Sequence, residues 1–228
     1  MLPRLRNMTL LEKIENIAGT STTTGSANIT SYRNMISSFL KQSARAVLLA
    51  LPDEVLIRDS IKITITGDGG LDVTDKKVLK VLRDGYGAVE MPLEMKKHMQ
   101  ANSGSIYEPT KRSPIYYIEG QTQTGGKLFI KPDPNGSFPG TVDYNAYPSP
   151  LWSDSAIGNF PDTAEYAVVL GAGLRMLQHK MNEMIHDDED IELAHVAQQE
   201  LLNIQTMYNE EIVRLGGTPV SGGSDGSS

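Results

Sequence analysis

The chain has 228 residues, enough for one substantial core or a core with a smaller satellite module, and its 39% hydrophobic content with 21 glycines and 12 prolines implies many turns. It contains no cysteine, which excludes disulfide staples, thiolate metal sites and cysteine nucleophiles. A formal net charge of −7 argues against broad contact with nucleic-acid phosphate and suits a protein that stays dispersed before it assembles.

The first predicted element is a short helix. Thr9 followed by Glu12 matches a capping box, Leu10, Leu11, Ile14, Ile17 and Ala18 recur at helical spacing, and Gly19 is a natural stop. A polar linker, Ser21–Asn28, follows. From Ser31 to Leu51 a longer helix is written by Tyr32, Met35, Ile36, Phe39, Leu40, Val47, Leu48 and Leu51, with Lys41, Gln42 and Arg45 off the stripe and Pro52 ending it. The period then changes. Ile61, Ile63 and Ile65 alternate with Lys62, Thr64 and Thr66, the repeat of a half-buried strand, and Asp68-Gly69-Gly70 is a turn. Val78–Leu82 reads as a strand, and Pro92 opens a short helix through His98. Ile115–Ile118, a Gly125-Gly126 turn and Lys127–Ile130 read as a hairpin, and Thr141–Tyr144 as another strand.

The last third returns to helix. Phe160-Pro161-Asp162 opens a helix to about Ile185, with Ala164, Val168, Gly171, Leu174, Leu177, Met181 and Met184 on one face. A second, about Asp190 to Leu215, carries Ala194, Ala197, Leu201, Ile204, Tyr208 and Leu215 at near-heptad spacing. The expected fold is therefore α+β: a helical bundle dominated by a long C-terminal antiparallel helix pair, with a β-rich insertion containing a hairpin. Its parts are an N-terminal helix at 1–20, the bundle at 31–58 and 160–215, the β insertion at 59–150, and a disordered Gly/Ser tail at 216–228. No apolar run is long enough to span a bilayer, the longest being Ala46–Leu51 and Ala167–Leu174, and charge at Glu12-Lys13 breaks the N-terminal stretch before a signal core forms.

Several patterns imitate chemistry. Val168-Val169-Leu170-Gly171-Ala172-Gly173 looks like a strand entering a dinucleotide-binding turn, but Met176 takes the third glycine position. The glycines read better as a place where a neighbouring helix approaches closely. Glu183 with His186 and Glu192 with His195 repeat the Glu-x-x-His spacing of di-iron bundles, yet nine residues apart they fall on opposite faces of one helix or flank a turn. Asp68–Asp72 departs from a calcium loop. His98 and His179 have no partner acid or nucleophile at motif spacing, and no serine occupies a Gly-x-Ser-x-Gly elbow. Lys111 and Arg112 between Tyr107 and Tyr116 could touch nucleic acid, but a solvated loop is the simpler reading. The expectation is a protein that is not an enzyme, with no catalytic residue, cofactor or metal.

The stretch Ser113–Ile118, then Gly126–Pro134, then Val142-Asp143-Tyr144 resembles the middle of tailed-phage virion proteins of the neck or upper tail. Asn159–Glu165 leading into Ala167–Gln178, and a second helix ending near Tyr208–Glu211, are similar to the C-terminal helices of those proteins. Phe39–Val55 resembles the helix ending in Leu-Pro that head-to-tail adaptors carry before their β module. This resemblance, which spans most of Ser31–Leu215, implies a subunit of a homo-oligomeric ring, a dodecamer, docked on the portal protein and on downstream tail or neck proteins. It implies passage of genomic DNA without sequence-specific binding, no membrane, and a place in the virion neck after assembly in the host cytoplasm. The large β insertion and the Gly/Ser tail depart from the family pattern and leave open another tier, such as the baseplate. Alternatives of other classes are a ligand- or metal-binding helical-bundle protein and an assembly chaperone. For a ring contact the expected surface is the hairpin, at Ile115, Tyr117, Leu128 and Ile130.

Overall fold

A computed structural model describes residues 8–19, 29–99, 108–122, 125–187 and 191–218. The chain is α+β, and it divides into two compact units, Met1–Val55 with Pro148–Ser228, and Leu56–Tyr147. The Gly/Ser tail from Pro219 onward lies outside the described residues.

The first unit contains α1 (Leu10–Ile17), α2 (Ile29–Ala50), α4 (Glu165–Asp187) and α5 (Ile191–Arg214), and a single turn, α3 (Asp53–Leu56), stands at the boundary. The capping box is formed: the Thr9 hydroxyl accepts from the Glu12 N–H at 3.3 Å, and the Glu12 carboxylate accepts from the Thr9 N–H at 2.7 Å. The next two free amides of α1 are satisfied elsewhere, Leu10 N–H by the Asp154 carbonyl at 2.7 Å and Leu11 N–H by that of Trp152 at 3.1 Å. The segment around Trp152 thus straps the helices together. Its Trp152 N–H donates to the Ser37 hydroxyl at 3.2 Å, and the Arg33 guanidinium lies 4.2 Å from the Trp152 ring centre. Lys13, buried on α1, donates to the Ser155 carbonyl and to the Glu165 carboxylate, both at 2.7 Å.

The N-terminal helix, expected as a separate part, packs on α4, with Leu10 and Ile14 fully buried. On α4 the expected stripe is only partly found. Every residue from Ala167 to Gly173 is buried, whereas Leu174 is half-buried. The reason is that α4 meets α1, α2 and α5, so the stretch Ala167–Gly173 has no outer face. Among the described side chains of α5 the buried ones are Ala197, Ile204, Tyr208 and Ile212, joined by Leu215 just past its end, and Leu201 is only half-buried.

The second unit is built of β1 (Ile61–Ile65), β2 (Leu71–Asp72), β3 (Lys76–Arg83), β4 (Tyr86–Gly87), β5 (Val89–Glu90), β6 (Ile115–Thr122), β7 (Gly125–Lys131) and β8 (Gly140–Ala146). It forms two four-stranded sheets, ordered β1-β8-β3-β4 and β2-β7-β6-β5, in which only the β5–β6 pairing is parallel. The predicted helix after Pro92 is a 3-10 helix, Leu93–Met99. Val73, Val81, Leu128, Ile130, Val142 and Tyr144 form the core, and Ile115 and Tyr117 a smaller cluster with Phe129. The Gly70 backbone has φ +69° and its missing Cβ leaves the space taken by the Phe129 ring, 2.8 Å away from where that atom would stand.

This corrects one expectation. Ile115, Tyr117, Leu128 and Ile130 are all buried inside the unit, so they are not a surface offered to a neighbouring copy. The hairpin is not an isolated ribbon. β2 pairs with β7, β5 with β6, and apolar side chains of the β1-β8-β3 sheet pack with those of β7, which supplies the third strand and the covering layer that a lone hairpin lacks.

Candidate functional site

The glycine run sits in the interior of α4, where backbone N–H groups are consumed by the helix. A Cβ on Gly171 would stand 3.2 Å from the Ser43 side chain and 3.3 Å from the Tyr208 ring, and one on Gly173 would stand 3.2 Å from Ile17. These glycines therefore admit α2, α5 and α1 to α4, and they form no strand-to-helix turn that could cradle phosphate.

Glu183 is exposed on α4 and faces His179 at 3.4 Å, one turn earlier, while His179 packs edge-on to Phe39 with ring centres 6.3 Å apart. The side chains of His98, His186, Glu192 and His195 are outside those described. Among the described residues no group of three or more His, Asp or Glu side chains is placed to hold a metal ion. Tyr107 is also outside the described residues. Of its supposed partners, Lys111 stacks on Phe138 with its ammonium 4.1 Å from the ring centre, and the Tyr116 hydroxyl donates to Glu90 at 3.0 Å, so no aromatic platform for bases is assembled from them.

The β unit has an open depression of about 630 Å³ lined by Asp72, Thr74, Glu119, Gly126, Lys127 and Phe129. Its carboxylates are already engaged. The Thr74 hydroxyl and N–H hold the Asp72 carboxyl below its ordinary range, helped by Lys76 and Lys127, and Glu119 is paired with Lys96. Among the described lining residues none is poised as a base or nucleophile.

No family model matches the chain, and no curated protein matches it.

Two features escaped the reading of the sequence. Arg83 is buried at the end of β3, where its Nε donates to the Pro132 carbonyl at 2.7 Å and an Nη to that of Asp133 at 3.3 Å. The strand period could have found it, since alternation from Val81 puts residue 83 on the same inward face. The other is a set of exposed apolar side chains on α5. Val196 and Met207 on one flank and Leu202 and Val213 on the other are 44–65% exposed, with the polar Gln199, Asn203 and Thr206 between the two flanks. Exposed large apolar side chains on both flanks of a helix suit contact with other protein. Among the described residues no helix is long and apolar enough to cross a membrane.

Proposed function

We propose that this chain is a structural virion protein of a tailed phage, a neck or head-to-tail adaptor ring subunit that links the portal to the tail and lines the DNA path, and that it is not an enzyme. The observation that carries this reading is the exposed apolar surface of α5, where Val196 and Met207 on one flank and Leu202 and Val213 on the other suit burial against other protein. In this reading α4 and α5 are the antiparallel pair that dominates a helical bundle. The Arg214 guanidinium reaching the Thr163 carbonyl at 3.2 Å, from the end of one helix to the start of the other, supports that pairing. A heterologous contact repeated by rotation closes a ring without chemistry, and the acidic balance of the chain lets DNA pass without adhering.

The test is cross-linking mass spectrometry on purified tailed-phage particles that carry this protein. Cross-links from α5 to other copies of the chain and to the portal protein are expected. A chain absent from mature particles, or cross-linked only to baseplate proteins, overturns the assignment.

A further inference from the structure

The two sheets of the β unit present four edges, and they are not alike. Three edge strands, β2, β4 and β5, are two residues long, too short to template another chain. The fourth, β1, runs five residues, Ile61–Ile65, without proline, glycine or bulge, and among the described residues pairs only with β8. The other long strand with an outer flank in that sheet, β3, is guarded: it carries Lys76, Lys77 and Lys80, has a bulge between Val78 and Lys80, and its Lys76 N–H is turned back to the Val73 carbonyl.

The backbone phase of β1 follows from the sheet. Ala88 N–H donates to the Val81 carbonyl and Asp84 N–H to the Pro139 carbonyl, so Val81 faces β4 while Leu82 and Lys80 face β8. Alternation then turns Thr141 and Asp143 toward β3, Val142 and Tyr144 toward β1, and Ile61, Ile63 and Ile65 toward β8. The N–H and C=O groups of Lys62 and Thr64 are left on the outer edge, and none of them has a hydrogen-bond partner among the described residues.

Side chains say what kind of strand fits. On the outer face Lys80, Asp143 and Lys62 stand in one row across three strands, so the next position in that row favours a carboxylate. On the inner face Ile61 is 38% exposed and Ile63 and Ile65 are half-buried, leaving apolar surface at the edge for alternate residues of an added strand to cover. A second copy of β1 fits less well. It would set Lys62 against Lys62 in a parallel pairing and against Thr64 in an antiparallel one, and supplies no carboxylate.

We infer that the outer edge of β1 accepts an extended segment of a different polypeptide, with alternate apolar residues and a carboxylate in register with Lys62, which adds as a fifth strand to this sheet. The inference rests on the β unit alone and stands whether or not the chain belongs to a phage neck. It is tested on the full chain by amide hydrogen exchange with two blocked synthetic hexapeptides of alternating valine and threonine, one with a central glutamate and the other with lysine in its place. The glutamate peptide slows exchange at Lys62 and Thr64 and leaves Ile63, already bonded to β8, unchanged. The lysine peptide binds about two- to fivefold more weakly, the factor expected for one facing side-chain pair. Lys62→Glu reverses the preference. Thr64→Pro removes only an outward N–H, which an edge strand tolerates, and abolishes binding of both peptides while Ile63 keeps its protection. Unchanged exchange at Lys62 and Thr64 with millimolar peptide overturns the acceptor edge. Self-association of the chain that Thr64→Pro removes, with no response to either peptide, overturns the assignment to a different polypeptide.

Discussion

In the helical unit the closest approaches occur where side chains are missing. Gly171 brings Ser43 of α2 and Tyr208 of α5 onto α4, Gly173 admits Ile17 of α1, and a Cβ on Gly217 would lie 2.6 Å from the Ala50 carbonyl oxygen. The β unit uses the same device at Gly70 and Gly140, whose added Cβ atoms would stand 2.8 Å from Phe129 and 2.7 Å from Ile130, and it adds a large polar side chain. Where the chain leaves β7 through Pro132, Asp133 and Pro134, the carbonyls of Pro132 and Asp133 lie outside any sheet ladder, and Arg83 donates to both. The difference teaches that a helix contact, whose backbone groups are already paired, is limited by bulk, whereas a sheet corner is limited by unpaired backbone. Each unit should then fail in its own way.

Arg83→Ala is expected to have the largest effect, because two carbonyls lose their donor at about 1–3 kcal/mol each. Denaturant unfolding monitored in the β unit measures it, and Arg83→Lys should recover part of the loss. A change under half a kcal/mol would mean that water replaces the guanidinium at no cost. Gly171→Val should cost roughly 1–3 kcal/mol through overpacking against Ser43 and Tyr208. Gly158→Ala is the control, since nothing lies within 4 Å of its added Cβ, and should stay within about 0.5 kcal/mol of the parent. Leu201→Ala should cost less than the roughly 2–5 kcal/mol of a fully buried leucine, because the side chain is half in solvent already. A full-sized loss would show that α5 is covered more deeply at Leu201 than this chain alone covers it. The smallest effect belongs to Asp72→Asn at a fully exposed corner. The carboxyl is held below its ordinary value of 3.8 by Thr74, so its contribution is complete above that value and is lost as pH falls through the lower, folded one. Parent and variant should therefore differ slightly at neutral pH and converge in acid, and a gap that widens on acidification would reverse the sign.

Local chemistry was legible in the sequence. The Thr9–Glu12 box, the Ile61–Ile65 alternation and the β6–β7 hairpin were readable because each is fixed by neighbours in the chain. Long-range pairing was not. β1 with β8 joins residues about eighty apart, as Ile61↔Tyr144 illustrates, and two-residue strands such as β5 carry no period at all. The same blindness explains the interface error. Ile115, Tyr117, Leu128 and Ile130 looked like a bare surface because the residues that cover them, Val73, Val81, Met91, Met95 and Val142 among them, lie outside the hairpin itself. On α4 a period can mark one buried face, but not a helix segment surrounded on three sides. Nor did period reveal that the edge of β1 would stand open, since that depends on what fails to pair with it.

The helical unit is assembled from two stretches of chain with the whole β unit between them, and this sets an order of events on the ribosome. Leu40 and Leu48, buried in the finished molecule, lie on a helix synthesised before α4 exists. Leu56–Tyr147 must be made first, which at about 5–20 residues per second takes on the order of 5–20 s. During that time α1 and α2 wait with their apolar stripes wet, and the β unit closes only once β8, its last strand, has emerged. A chain released after Tyr147 would carry every strand of the β unit together with sticky, unpartnered helices, a natural client for a holding chaperone.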